Sequence, residues 1–133
     1  MRTIPALPVL RVRAAAEHYR EKFGFDPVHV SDDYAVVARD DAQLHLWGAT
    51  DEEWRLRADL TEKPVSSGAE SFLAGTASCR IEVEDVEALF EELDAAGVSH
   101  PTARGLADTD FGTREFPTVD MDGNLIVFFR LTS

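Results

Sequence analysis

Two stretches of this chain repeat one another, and a repeat restricts the possible folds more than any single motif does. Asp41-Ala42-Gln43-Leu44-His45-Leu46-Trp47 lines up with Asp122-Gly123-Asn124-Leu125-Ile126-Val127-Phe128, and a helical segment that stops at glycine precedes each. In the first half, a strand over residues 4–12, with Pro5 and Pro8 at its entrance, leads to a helix over 14–23. There Ala16, Tyr19, Arg20 and Phe23 recur at helical spacing before Gly24. Strands over 25–30, 34–39 and 43–48 follow, divided by the turn compositions Ser31-Asp32-Asp33 and Asp40-Asp41-Ala42. The last of them puts Leu44 and Leu46 on one face and His45 and Trp47 on the other.

The second half reads the same way. A strand over 77–83 precedes a helix over 86–96, N-capped by Asp85 and ended by Gly97, in which Val86, Leu89, Phe90 and Leu93 form the apolar stripe. A short strand over 98–102, a loop over 103–110 and a hairpin turning at Asp122-Gly123-Asn124 complete it. The run Leu125 to Phe129 is apolar on both faces, so its strand belongs inside a sheet. Strand, helix and three strands therefore occur twice. The expected fold is α+β, one domain over 1–133 made of two βαβββ modules, 1–58 and 76–131, joined by 59–75. In the connection, Thr50 and Glu53 suit a capping box for a short helix over 51–60 carrying Trp54, and 64–75 reads as a loop, of the kind used as a lid, arm or linker.

Thirteen Lys and Arg against 25 Asp and Glu leave a net charge of −12. Such a surface repels nucleic acid and anionic lipid and attracts cations. No apolar run of ~18 residues is present, and a soluble cytoplasmic protein that binds neither nucleic acid nor membrane is expected. Cys79, the only cysteine, rules out an intrachain disulfide and cysteine-rich zinc motifs; in an apolar strand it reads as packing. His18, His29, His45 and His100 are scattered without a His-x-His or His-x-x-x-His pair, His18 being placed on the solvent face of its helix and His100 in a loop. No Ser/His/Asp set or glycine-rich phosphate loop occurs.

Several motifs in this order carry a family resemblance: Leu7-Pro8-Val9-Leu10, Phe23-Gly24-Phe25, Asp32-Asp33-Tyr34, Phe111-Gly112 with Arg114-Glu115-Phe116, and the Asp-Gly-Asn turn. The chain resembles the vicinal oxygen chelate superfamily of glyoxalases and extradiol dioxygenases, and within it the bleomycin-resistance group, over nearly its whole length. Thr113, which looks like an insertion, and residues 51–75 depart from the pattern. The resemblance implies curved mixed sheets forming a cleft, completed by a homodimer with exchanged N-terminal strands, and a metal-free protein that sequesters a cationic aromatic antibiotic without catalysis or cofactor.

In the superfamily's enzymes a divalent metal is held by histidine, glutamine or glutamate at positions matching Leu7, Leu46, Ser78 and Val127 here. None of these is a useful ligand. A one-residue shift would offer His45, with no carboxylate or histidine expected on the same face. The resemblance places Tyr34 and Phe111, beside Gly112, as stacking residues, with His29 and Trp47 at further cleft positions. Asp108, Asp110 and Glu115 are candidate partners for a cationic group, although exposed carboxylates commonly form only a solvated face. Arg80 and Glu82 share a strand face that could line the cleft, or could neutralise one another. Tyr34 and Trp47 would equally serve a subunit interface, and Phe111 loop packing. A metal-dependent enzyme and a binder of another small molecule stand as alternatives.

Overall fold

The computed structural model describes residues 1–49, 56, 58–59, 61–64, 66 and 73–133. Most of the helix expected over 51–60, including Trp54, and most of the loop expected over 64–75 lie outside the described residues. The first module runs β1 (Ala6–Val9), α1 (Val12–Phe23), β2 (Asp26–Val30), β3 (Tyr34–Arg39) and β4 (Ala42–Gly48). The second runs β5 (Ser78–Glu82), α2 (Val86–Ala95), β6 (Ala107–Asp108), β7 (Thr113–Val119) and β8 (Leu125–Leu131). Each makes a four-stranded mixed sheet of the same topology, β1-β4-β3-β2 and β5-β8-β7-β6, whose first strand pairs in parallel with its last. β8, between β5 and β7, is the interior strand that its two apolar faces require.

Both helices form for legible reasons. α1 buries Val12, Ala15, Ala16, Tyr19 and Phe23 and ends where Gly24 takes φ +70°, a conformation costly for other residues. α2 starts where the Asp85 carboxylate accepts the N–H of Ala88. One apolar core serves both modules, with Leu7, Leu44, Leu46, Ala35 and Val37 from the first sheet and Phe116, Ile126 and Phe128 from the second. Phe23 meets Phe128 at 6.4 Å between ring centroids.

Three expectations are corrected. The repeat is real but offset by one residue. Leu44 and Leu46 face the core, as do Ile126 and Phe128, whereas the alignment on Asp41 and Asp122 pairs them with Leu125 and Val127. The β3–β4 turn has two residues and the β7–β8 turn five, and a slip of one moves every side chain to the other face. Residues 98–102 form no strand: Ser99 makes a lone bridge to Thr118 and His100 N–H reaches the Pro117 carbonyl. Pro101 has no N–H to continue the ladder, so the strand that follows α2 in this module is β6, within the expected loop. His18 is half-buried, its Nε2 enclosed without a partner and its ring edge-on to Tyr19, so it does not lie on a solvent face.

The β7–β8 turn joins the modules. Asp120 Oδ1 accepts the N–H groups of Asp122, Gly123 and Asn124, each at 2.9 Å, and Oδ2 accepts the Tyr19 hydroxyl at 2.7 Å and Asn124 Nδ2 at 2.9 Å. Asn124 also donates to the Pro8 carbonyl and accepts from the N–H of Ala77. Asp120 and Asn124 are 5% and 0% exposed, so these bonds replace water for groups that could not otherwise be buried.

Candidate ligand-binding site

The helices cover one face of each sheet, and no helix or strand among the described residues covers the other. On the first sheet the register sets Tyr34 directly opposite Trp47, and both side chains point away from the core because their neighbours Ala35 and Leu46 point into it. Their rings stack at 5.2 Å and 20°. His29 continues the row at 4.8 Å from Tyr34, and His45 flanks it at 6.4 Å. His29 reaches this face through a β-bulge: Pro27 pairs with Val37 and His29 with Val36, leaving Val28 as the extra, 65% exposed residue. Regular alternation would have turned His29 toward the core. Ser31 fixes the head of the row, its Oγ accepting the N–H groups of Asp33 and Tyr34 while donating to the Tyr34 carbonyl.

The second open face is built differently. Arg80 of β5 makes a two-pronged ion pair with Glu115 of β7, across the intervening β8. The guanidinium lies 4.8 Å from the Phe129 ring centroid and 5.7 Å from that of Phe111. Thr113 donates to the same Glu115 carboxylate at 2.8 Å. The Arg80 hydrogen bond, followed by that of Thr113, holds the Glu115 carboxyl below its ordinary range. Phe111 is 65% exposed at the loop tip, and Gly112 beside it takes φ +87°. The two open faces adjoin, since Gln43 lines one small groove of about 200 Å³ with Arg80 and Glu82.

The candidate residues therefore divide. Tyr34, Trp47 and His29 form one group, and Arg80, Glu115, Phe111 and Gly112 another. Arg80 pairs with Glu115 rather than with Glu82, which stands exposed at the strand end. Asp108 pairs with Arg114 at 2.7 Å, in a set of ion pairs with Glu87 of α2 and Arg130, away from the open face. Asp110 is exposed on the Phe111 loop. A cleft of about 790 Å³ lies on the helix side, where Asp40, Asp41, Glu84 and Glu92 rim an apolar floor of Phe25, Ile81, Leu89 and Phe128. Arg39 crosses it to Glu92 and to the Phe23 carbonyl. The Cys79 thiol, packed against the core, is pushed up to about 11, chiefly by burial, and so stays protonated at neutral pH.

The positions matched to metal ligands do not suit a metal. Leu7 and Leu46 are fully buried in the core, and Ser78 and Val127 offer at most one weak oxygen. With the corrected offset, His45 is the counterpart of Val127. The expectation that no histidine shares its face fails, because the bulge puts His29 there. His29 and His45 flank Val36 from opposite sides, their backbones two strand spacings or about 10 Å apart, and two histidines alone fall short of the three protein ligands such a metal site uses. Among the described residues no three His, Cys, Asp or Glu side chains converge on a common point for a metal. The bulge, the offset and the Arg80 sandwich carry no periodic sequence signal; of the site's parts, only the alternation of His45 and Trp47 with leucine did.

Comparison with known proteins agrees with this architecture. The superfamily described as Glyoxalase/Bleomycin resistance protein/Dioxygenase matches residues 5–128. Bleomycin resistance proteins of Geobacillus stearothermophilus and Staphylococcus aureus are each 44% identical over 130 residues, covering 98% of this chain and 96% of theirs. The crystal structure of a bleomycin-binding protein from bleomycin-producing Streptomyces verticillus, complexed with copper(II)-bleomycin, superposes with a TM-score of 0.70 at 27% identity, over 96% of this chain and 93% of that one. A bleomycin resistance determinant encoded on the transposon Tn5 has the same fold, with a TM-score of 0.72 at 17% identity over 100% and 99% of the two chains.

Proposed function

The chain belongs to the Glyoxalase/Bleomycin resistance protein/Dioxygenase superfamily, and we propose that it binds and sequesters a bleomycin-type antibiotic, giving resistance with no bond made or broken. The observation that carries this reading is the row of rings His29, Tyr34 and Trp47 on an open sheet face. Stacked rings present a flat apolar surface suited to a planar heteroaromatic group, while a net charge of −12 favours a ligand with a cationic tail. Phe111 is proposed as the second stacking residue.

Aromatic faces left open in one chain gain a second wall from another copy, which supports a homodimer with its clefts between subunits. No helix among the described residues is long and apolar enough to cross a membrane. The cytoplasm is the proposed compartment, where capture would intercept the drug.

The test is titration of the purified protein with metal-free and copper-loaded bleomycin, followed by tryptophan fluorescence at two salt concentrations. Saturation near one ligand per subunit, weaker at higher salt, is expected. A flat titration at micromolar ligand in both forms would overturn the assignment.

A further inference from the structure

Resting on that reading of the site, we propose that Arg80 is a positioning residue: clamped by Glu115, its guanidinium fixes the ring of Phe111 so that the ring's outer face is presented to the planar part of the ligand. Phe111 is 65% exposed at the tip of a short loop, where a phenyl ring with no fixed neighbour would exchange between rotamers. Arg80 supplies that neighbour. Its guanidinium is set between Phe129 at 4.8 Å and Phe111 at 5.7 Å, and Phe129 lies in the sheet itself.

The clamp and the loop share one hydrogen-bond network. Thr109 N–H donates to the Thr113 carbonyl at 2.8 Å, closing the loop at its base. The Thr113 hydroxyl then reaches Glu115, the carboxylate that holds Arg80. A planar, forked cation is required for this, because it must receive two carboxylate oxygens in its plane while rings lie against its faces. Lysine has the charge without the plane.

Glu115 has a second consequence. It cancels the charge of Arg80, so that the clamp does not repel a cationic ligand. The first sheet needs no such device. There Ala6 occupies the position that Arg80 has in the second sheet, and Tyr34 and Trp47 hold one another by direct stacking.

The experiment compares wild type with Arg80→Gln, Arg80→Lys, Phe111→Ala and the Arg80→Gln/Phe111→Ala double variant, all checked for an unchanged thermal midpoint. In protein labelled with 4-fluorophenylalanine, the resonance lost in Phe111→Ala identifies that ring. It is expected to shift and narrow in Arg80→Gln as the ring becomes free. Both Arg80 variants are expected to bind copper-loaded bleomycin roughly three- to tenfold more weakly, with no further loss from Arg80→Gln once Phe111 is alanine. Glu115→Gln, which leaves the cation unpaired, should weaken binding more at low salt than at high salt.

An unmoved Phe111 resonance in Arg80→Gln would overturn the inference, as would losses that add in the double variant. If the wild type bound no bleomycin the proposed function would fall, and the fluorine spectra alone would still decide whether Arg80 orients Phe111.

Discussion

The two open sheet faces are the same scaffold with opposite chemistry. Tyr34 opposite Trp47 on the first corresponds in register to Glu115 opposite Phe129 on the second, and Ala6 corresponds to Arg80. The shared topology repeats the positions, and the side chains that occupy them differ. One face became a fixed row of rings, the other an internally neutral ion pair that steadies a ring on a loop. Stacking is rigid where both partners sit on strands; where one partner sits on a loop, a cation and its counter-charge take over the holding. A fold of this kind carries function in such substitutions at matched positions.

The comparison can be broken most severely at the joint on which both faces depend. Asp120→Ala strips acceptors from three backbone N–H groups and from the Tyr19 hydroxyl, and should cost about 3 kcal/mol in denaturant unfolding. A loss below about 1 kcal/mol would mean that the modules are held by the apolar core alone. Next in size, Tyr34→Ala removes the middle ring and should weaken bleomycin binding by about 2 kcal/mol with little change in stability. An equal loss on Phe129→Ala would show that the faces do not differ in role.

Trp47→Phe makes the first face resemble the second at one position. It should cost about 0.5–1 kcal/mol of affinity by calorimetry, and an unchanged affinity would remove Trp47 from the site. The smallest effect separates the helices. α1 has His18 at the position, counted from its first residue, where α2 has Glu92. Burial, the larger influence, lowers the folded-state pKa of His18 against the opposing pull of Asp120 and Asp122. Its contribution is therefore fully present above the ordinary histidine value and is lost as pH falls through the lower folded value. The thermal midpoint of the wild type should fall more between pH 7 and 5 than that of His18→Gln, and parallel slopes would contradict this.

What was legible in the sequence was local. Gly24 ending α1, the Asp85 cap, the alternation of Leu44 and Leu46 with His45 and Trp47, and the repeated order of elements are all written in neighbouring residues. What escaped depends on distance along the chain. Tyr19 meets Asp120 across 101 positions, and Arg80 meets Glu115 across 35. The strand at 107–108 is two residues long, set by pairing with β7 and by the Arg114–Asp108 ion pair rather than by composition. The bulge at Val28 and the one-residue offset of the repeat are matters of register, which depends on turn length and the partner strand.

The connection between the modules leaves and returns at almost one point. Ala49 N–H bonds to the Val9 carbonyl and Gly75 N–H to the neighbouring Pro8 carbonyl, and a Cβ on Gly75 would lie 2.0 Å from the Asp122 carbonyl oxygen. Both ends are thus fastened to consecutive residues of β1, and between two points so close the closure entropy of a connecting chain grows slowly with its length, each doubling costing only about 0.6 kcal/mol. The same closeness offers the molecule as two pieces, severed between 49 and 75, which the shared core and the Asp120 turn would bring back together.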